Sequence, residues 1–168
     1  MSNKEVDVLR AIQAQLYDAP GVLPTARGLS HFGEHALGWM GISAAGAAVD
    51  GKRRRKWLAM GAGAFTAHAA SVVIKRIVRR RRPHDPRIKV GVGTPSRLSF
   101  PSSHATSTSA AMVHLADITG SKLPYLGIPI MMTSRMVLGV HYPTDTLAGA
   151  LLGAGVARAA IEIERQTA

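Results

Sequence analysis

The feature that most constrains the fold of this chain is a run of residues, 57–74, without a single formally charged side chain. Its one appreciably polar side chain is His68, and its length of eighteen residues is near the lower limit for a helix that crosses a bilayer. Basic clusters at residues 52–56 and from Lys75 onward flank the run without interrupting it. The pattern predicts a membrane-spanning helix whose two ends lie in a polar environment.

Other segments show helical periodicity on either side of this run. Residues 4–17 place apolar side chains at helical spacing beside charged ones, which predicts an amphipathic helix at a membrane interface. Residues 84–100 contain Pro and Gly without clear periodicity and predict a loop. We expect an all-α fold, a compact membrane-embedded bundle of about five to six helices that includes the N-terminal interfacial helix. The remaining helices are predicted near residues 31–49, 103–119, 123–140 and 144–164.

A soluble all-helical domain is the alternative, because several of these segments contain only about 12 to 16 apolar residues. Two further features favour the membrane. Gly149 and Gly153 have the small-residue spacing that lets helices approach closely in lipid. Trp39 and Trp57 lie near segment ends, where aromatic side chains meet the interface between membrane and water.

Composition narrows the possible chemistry. The 168 residues include no Cys, which excludes disulfides, thiolate metal sites and a Cys nucleophile. Lys and Arg number 21 against 10 Asp and Glu, a formal net charge of +11, and many of the basic residues lie between positions 75 and 89. Such an excess indicates a polyanionic partner, which could be nucleic acid, anionic lipid or a phosphorylated substrate.

Three short stretches carry residues suited to phosphoryl transfer. A Lys with two Arg can clamp a phosphate, and a helix that begins after a loop adds unpaired backbone N–H groups. One His can attack phosphorus while a second protonates the leaving group and later activates water. An Asp four residues after a His can accept its Nδ1–H and leave Nε2 nucleophilic. The candidates, in chain order, are Lys75, Arg82, Ser102, Ser103, His104, Arg135, His141 and Asp145.

Each candidate also has an ordinary structural role when it is taken alone. The basic residues fit a solvated or lipid-facing patch, the two serines fit a helix cap, and His104 fits a buried histidine. His141 and Asp145 fit an i,i+4 pair on a helix. Together they favour a common site, because about nine specified positions fall in one order at fixed spacings.

The stretches KRIVRRRRP (75–83), PSSH (101–104) and SRMVLGVHYPTD (134–145) resemble the three signature motifs of the type 2 phosphatidic-acid phosphatase superfamily. The resemblance covers residues 57–160, the helical core that the family builds around its site. It implies a single membrane domain of this type over residues 1–168. It implies neither a metal nor another cofactor.

The resemblance also implies a role for each matched residue. His141 is implied as the nucleophile, Asp145 as its orienting partner, and His104 as general acid and then base. One position departs from the family, which often has Gly where Ser103 stands, and a Ser there would be strained if the position required a positive φ. The residues implied to hold the phosphate are Lys75, Arg82, Ser102, Ser103 and Arg135.

Two stretches are similar to small family members that dephosphorylate decaprenylphosphoryl-5-phosphoribose, a polyprenyl-linked phosphosugar of the cell-wall arabinan pathway. They are GLSHFGEH (28–35) and RRRRP…TPSRLSFPSSHATST (79–83 and 94–108). This substrate carries a second anionic group, the lipid phosphate that is not cleaved, and surplus arginines are suited to hold it. The alternatives are a polyprenyl-diphosphate or a phosphatidylglycerol-phosphate phosphatase with the same site. The surplus arginines are Arg76, Arg79, Arg80 and Arg81.

Residues outside the motifs receive weaker assignments. His31 and His35 flank Glu34 at helical spacing, but their order is not that of a zinc protease and no third ligand is evident. We expect residues 28–35 to shape the entrance for the substrate. We expect His68 and His114 to be packing residues.

The expected partners are a lipid-linked phosphate substrate and the membrane, without nucleic acid. A basic nucleic-acid-binding module is the non-enzyme alternative, but it leaves the His and Asp spacing and the apolar segments unexplained. We expect a multi-pass protein of the cell membrane with the three motifs on one face and the basic residues 52–56, Lys122 and Arg165 on the other. Both faces are basic, so the sequence leaves open which face carries the site, and it leaves the oligomeric state open.

Overall fold

The computed structural model describes residues 3–166, which form seven α-helices joined by short turns and one long loop. In chain order the helices are α1 (Asn3–Leu16), α2 (Val22–Phe32), α3 (Leu37–Val49), α4 (Arg54–Val78), α5 (Ser103–Thr119), α6 (Gly127–Val137) and α7 (Pro143–Gln166). Residues 3–166 contain no β-strand, although an isolated antiparallel bridge joins Arg81 to Leu98. The predicted all-α class is confirmed.

Most of the predicted helices lie close to their expected positions. The limits of α5 agree with the prediction, because Ser102 caps its first turn and Gly120 ends it in the left-handed conformation, with φ of 68°. α4 continues past the predicted end at residue 74 and stops at Arg79, whose φ is 55° and whose N–H donates to the Lys75 carbonyl at 3.0 Å. α6 is shorter than predicted, because residues 123–126 form a 3₁₀ turn.

The helix α2 accounts for the difference between the predicted five to six helices and the observed seven. Pro24 stands in its first turn, where no intrahelical N–H is needed, and Gly28 lies in its middle. These two residues hide the helical periodicity in the sequence. The prediction of one helix running from His31 to Val49 was wrong, because the chain turns between α2 and α3 with positive φ values at His35 and Ala36.

The helices α4 and α7 are long and apolar enough to cross a membrane. Only 28% of the most apolar window in each helix is buried inside the protein, whereas the core helix of a soluble domain would be largely covered. Their large apolar side chains point outward, where lipid would cover them. The most exposed of these side chains include Leu58, Phe65, Val73, Leu147 and Leu151.

The central helix is α5, which packs against both α4 and α7. Its buried residues are mostly small or hydroxylated, so this helix brings hydroxyl groups into the interior of the bundle. The hydroxyls bond within the bundle: Ser109 Oγ donates to the Ala150 carbonyl at 2.7 Å, and Thr108 Oγ1 accepts from Trp39 Nε1 at 3.1 Å. Such hydroxyl bonds are a usual way of joining helices in a membrane.

Two glycines of α7 allow its backbone to approach α5. A Cβ atom at Gly149 would stand 2.6 Å from the Ser102 carbonyl oxygen, and one at Gly153 would stand 2.0 Å from the Thr106 carbonyl oxygen. Side chains of any size are therefore excluded at both positions. The close approach predicted from the spacing of these two glycines is confirmed.

The antiparallel arrangement of the four C-terminal helices brings the three motifs to one end of the bundle. The motif residues lie at the end of α4, the start of α5, the end of α6 and the start of α7. At the opposite end, Asp117 forms ion pairs with Lys56 Nζ at 2.8 Å and with Arg165 Nη2 at 2.7 Å. The predicted separation of the motifs from the basic residues at this other end is confirmed.

Replacing Gly153 with Ala is expected to destabilise the bundle, because the new methyl group meets backbone atoms that cannot move aside. We expect a loss of about 1–3 kcal/mol, seen as a lower midpoint of thermal unfolding in detergent. Gly155→Ala in the same helix is the matched control, since a Cβ there meets no atom within 4 Å. Equal midpoints for the two variants would show that α5 and α7 are not in close contact.

Candidate active site

A cavity of about 340 Å³ lies at the end of the bundle where the motifs meet. A larger depression of about 510 Å³ lies at the other end beside Asp117, but none of the motif residues lines it. The smaller cavity is therefore the candidate site on chemical grounds. The sequence-predicted residues that line it are Lys75, Arg82, Ser103, His104, Arg135 and His141.

Arg82 is positioned by a loop that folds back on itself after α4. Its N–H donates to the Arg97 carbonyl at 3.1 Å, and its side-chain Nε donates to the Ser96 carbonyl at 2.8 Å. Its Nη1 donates to the Val140 carbonyl at 2.7 Å, which ties this loop to the segment before α7. Burial lowers the pKa of Arg82 to about 10, against an opposing effect of Asp145, so the guanidinium remains charged at neutral pH.

Lys75 lies on the cavity wall, but its ammonium group is engaged by backbone. Its Nζ donates to the carbonyls of Pro101 at 2.8 Å and Ser99 at 3.2 Å, and Leu98 O is 3.4 Å away. Lys75 therefore holds the segment that leads into α5. Its positive charge still faces the cavity, and its predicted contact with phosphate stays a prediction.

The two serines of the second motif take different positions. The Oγ of Ser102 accepts from the Ala105 N–H at 3.5 Å, and the Ser102 N–H donates to the Asp145 carbonyl at 2.9 Å. Ser102 does not line the cavity, and both its hydroxyl and its N–H bond within the protein, so its predicted contact with phosphate stays a prediction. Ser103 does line it, with Oγ 2.8 Å from Ser71 Oγ. Ser103 has no positive φ, so a Ser is unstrained there.

Arg135 is a buried cation in the wall of the cavity. It lies in the last turn of α6, is 2% exposed, and lines the cavity. Among the described residues, its buried Nε and Nη1 have no hydrogen-bond partner. Buried charged donors without partners are costly, so this guanidinium is arranged for an anion that enters the cavity.

His141 lies in the short segment between α6 and α7 and is 2% exposed. Its Nε2 is 3.1 Å from Arg82 Nη1. A guanidinium can only donate, so Nε2 carries the lone pair and Nδ1 carries the proton. Burial and the nearby cations Arg82, Arg135 and Lys75 hold the pKa of His141 well below its ordinary value, so the ring is neutral at pH 7.

Asp145 is fully buried behind His141, with Oδ2 3.7 Å from His141 Nδ1. The same oxygen accepts from the Tyr142 N–H at 2.8 Å, and Oδ1 accepts from Arg80 Nη1 at 2.9 Å. Arg80 also bonds Glu5, so the expectation that Arg80 holds the lipid phosphate was wrong. The sequence did not reveal this contact, because Arg80 is one of four consecutive arginines.

His104 lies in the first turn of α5, facing α2. Its Nε2 is 2.8 Å from the Ser30 carbonyl oxygen, which can only accept, so Nε2 carries a proton. Gly33 lies against the same ring, and a Cβ there would stand 2.7 Å from His104 Cδ2. Sequence reasoning missed Ser30, because a backbone carbonyl leaves no trace in residue identity.

The turn between α2 and α3 forms one wall of the cavity. His31, Glu34 and His35 all line it, as expected of a stretch that shapes the entrance. His68, which was expected only to pack, also lines the cavity, and its ring centroid is 5.7 Å from that of His35. This wall brings titratable groups from α4 and the turn to the mouth of the site.

The fold and the site define a known class of protein. Residues 56–167 match the PAP2 superfamily, and the chain belongs to that superfamily. The bundle also aligns with a solved structure, the transmembrane PAP2 type phosphatidylglycerolphosphate phosphatase from Bacillus subtilis, with a TM-score of 0.75 and 23% identity. That alignment covers 98% of this chain and 88% of the other, and it confirms the predicted fold.

Curated relatives are similar over most of their length. The chain is 64% identical over 142 residues to a decaprenylphosphoryl-5-phosphoribose phosphatase of Mycolicibacterium smegmatis, covering 84% of this chain and 79% of that protein. It is 57% identical over 152 residues to a protein of the same name from Mycobacterium tuberculosis, covering 90% of this chain and 86% of the relative. The resemblance drawn from the motifs is confirmed.

Replacing Gly33 with Ala is expected to lower kcat/KM for phosphate release by about 10- to 100-fold, because the new methyl group pushes the His104 ring from its place. Gly28→Ala in the same stretch is the matched control, since a Cβ there meets no atom within 4 Å. It should leave kcat/KM unchanged. Full activity of Gly33→Ala, in protein that unfolds at the normal temperature, would contradict the position given to His104.

Proposed function

We propose that the chain is a membrane-embedded phosphatase that converts decaprenylphosphoryl-5-phosphoribose into decaprenylphosphoryl ribose and inorganic phosphate. The names of relatives that are 57% and 64% identical support this substrate. The observation that carries the chemistry is the buried Arg135 guanidinium, which has two unpaired donors and lines the same cavity as His141. An anionic group bound there would satisfy both donors beside a neutral imidazole.

The phosphomonoester is held by the groups that surround the cavity. Arg135 donates from Nε and Nη1, and Arg82 transfers its Nη1 donor from the imidazole to a phosphate oxygen when the substrate enters. The Ser103 hydroxyl is a further donor. Lys75 contributes mainly its charge, because its donors are engaged by carbonyls, and Ser102 contributes by capping α5.

The first chemical step transfers the phosphoryl group to the protein. The lone pair of His141 Nε2 attacks phosphorus, the N–P bond forms, and the bond from phosphorus to the ribose 5-oxygen breaks. His104, which the negative charge of the bound phosphate keeps protonated, gives a proton to that oxygen. The Ser30 carbonyl stabilises the protonated ring by accepting from Nε2, which leaves Nδ1 as the nitrogen that exchanges the proton. Asp145 stabilises the positive charge that develops on His141.

The second step regenerates the enzyme. A water molecule attacks the phosphorus of phosphohistidine, His104 Nδ1 takes a proton from that water, and the N–P bond breaks. Inorganic phosphate leaves, and His141 returns to its neutral form. Arg135 and Arg82 hold the same three oxygens throughout, so the charge on the transferred group is balanced in both steps.

The remainder of the substrate lies toward the mouth of the cavity. Arg76 lines the cavity and is exposed, so its guanidinium can reach the lipid phosphodiester while the terminal phosphate lies beside Arg135. Arg79 and Arg81 are exposed nearby and add positive charge. The polyprenyl chain then follows the apolar outer surface into the bilayer.

The protein is a multi-pass protein of the cell membrane, a single PAP2 domain over residues 1–168. The helices α4 and α7 cross the bilayer, and α1 lies at the interface. This function requires no nucleic-acid partner.

Phosphate release from a panel of lipids tests the proposal. The panel contains the phosphoribosyl lipid, a polyprenyl diphosphate and phosphatidylglycerol phosphate, each presented to detergent-purified enzyme with EDTA. We expect the highest kcat/KM for the phosphoribosyl lipid. We expect His141→Ala to lose activity on all three by at least about a thousandfold, because no other group supplies the attacking lone pair.

His84→Ala is the control for this panel, because His84 is an exposed histidine of the loop that lies outside the cavity. It should retain the activity of the wild type. A higher kcat/KM for the diphosphate or for phosphatidylglycerol phosphate would reject the substrate. Activity that survives in His141→Ala would reject the nucleophile, and loss of activity in EDTA would reject a metal-independent reaction.

A further inference from the structure

A group of side chains from α1, the loop after α4 and the start of α7 meets behind Asp145. Arg80 lies at its centre: Nη1 donates to Asp145 Oδ1 at 2.9 Å and to Thr144 Oγ1 at 2.7 Å, while Nη2 donates to Glu5 Oε2. The guanidinium also lies 4.2 Å from the centroid of the Tyr142 ring. Neither Glu5 nor Arg80 lines the cavity, so neither touches the substrate.

These contacts are well shielded from water. The side chain of Arg80 is 18% exposed, that of Glu5 is 21% exposed, and that of Asp145 is fully buried. Partial burial raises the pKa of Glu5, but hydrogen bonds from Thr144 and Arg80 outweigh that effect and hold the pKa below its ordinary value. Glu5 is therefore a carboxylate at neutral pH, in a setting where its charge is only partly screened.

The charges alternate in sign along this line of contacts. His141 gains positive charge during phosphoryl transfer, Asp145 is negative, Arg80 is positive and Glu5 is negative. Arg80 alone would neutralise much of the charge that Asp145 presents to His141. Because Glu5 binds the same guanidinium, the charge of Arg80 is divided between two carboxylates. Asp145 therefore keeps enough negative charge to stabilise the positive charge that develops on His141.

We propose that Glu5 and Arg80 are positioning residues of the active site, which hold Asp145 in place and preserve the negative charge that it presents to His141. The proposal rests on the phosphohistidine route proposed above. It also gives α1 a role in the reaction. The family match begins at residue 56, so it assigns nothing to Glu5.

A purely structural role for Glu5 makes a different prediction. Glu5 Oε1 accepts from Thr144 Oγ1 at 2.6 Å, and this bond alone could attach α1 to the bundle. A Gln at position 5 keeps the length and an acceptor oxygen but loses the charge. An Asp keeps the charge but is one methylene shorter. A structural role therefore favours Gln over Asp, whereas the proposed electrostatic role favours Asp over Gln.

The test measures kcat, KM and the inhibition constant of inorganic phosphate for Glu5→Gln and Glu5→Asp. We expect Glu5→Gln to lower kcat about tenfold, because the phosphorylated His141 is less stabilised. Its KM and inhibition constant should stay within about twofold of the wild type, since Glu5 lies outside the cavity. Glu5→Asp should recover part of the lost kcat. Asp7→Asn, the same change of charge on an exposed residue of α1, should have no effect.

A double variant tests whether the effect passes through Arg80. Arg80→Lys keeps the charge but loses the planar fork that reaches both carboxylates. We expect it to lower kcat, and we expect Glu5→Gln to cause little further loss in its presence, because the connection to Asp145 is already broken.

Three results would overturn the proposal: wild-type kcat in Glu5→Gln, a lower kcat in Glu5→Asp than in Glu5→Gln, or fully additive losses in the double variant. If one of these results is found and His141→Ala is inactive, only the role of Glu5 and Arg80 is rejected, and the proposed function is unaffected. An active His141→Ala would instead remove the reaction on which this proposal rests.

Discussion

Uncompensated positive charge at one end of a helical bundle is the constraint on which the rest of the structure depends. Arg135 is buried with unpaired donors, and Arg82 is largely withdrawn from water beside it. Withdrawing such groups from water costs several kcal/mol per ion unless an anion pairs with them. The carboxylate behind His141, that of Asp145, accepts hydrogen bonds from Arg80 and from a backbone N–H. Burial keeps His141 neutral, so it adds no charge and retains its lone pair. The unpaired donors of Arg135 are therefore available to an anion that enters the cavity.

The bundle places hydroxyl groups along its central helix and large apolar side chains on the outer faces of α4 and α7. The central helix α5 consists largely of small and hydroxylated residues, and α7 approaches it closely at Gly149 and Gly153. The apolar side chains of α4 and α7 point outward instead. Since neighbouring helices run in opposite directions, ends that are far apart in sequence meet at one face. Close packing among the helices therefore fixes the distances within the site.

The sequence was most informative where a local rule determines the structure. The limits of α5 follow from the cap at Ser102 and the left-handed turn at Gly120. The sequence was least informative where a side chain bonds to a backbone group, or where several neighbouring residues of one type could make the same contact. The bond from His104 to the Ser30 carbonyl could not be predicted, since any residue has a carbonyl. Asp145 pairs with Arg80 and not with another arginine of the run because the chain turns in the αL conformation where α4 ends. No local sequence pattern singles out Arg80 for that contact.

The central claim is that His141 carries the phosphoryl group during the reaction. The most direct measurement is rapid quenching of the enzyme with a substrate labelled in its terminal phosphate, followed by mapping of the labelled peptide. The account predicts a label that is lost in acid and kept in alkali, located on His141, and formed no more slowly than turnover. A label on another residue, or rapid turnover in which the protein is never labelled, would contradict it.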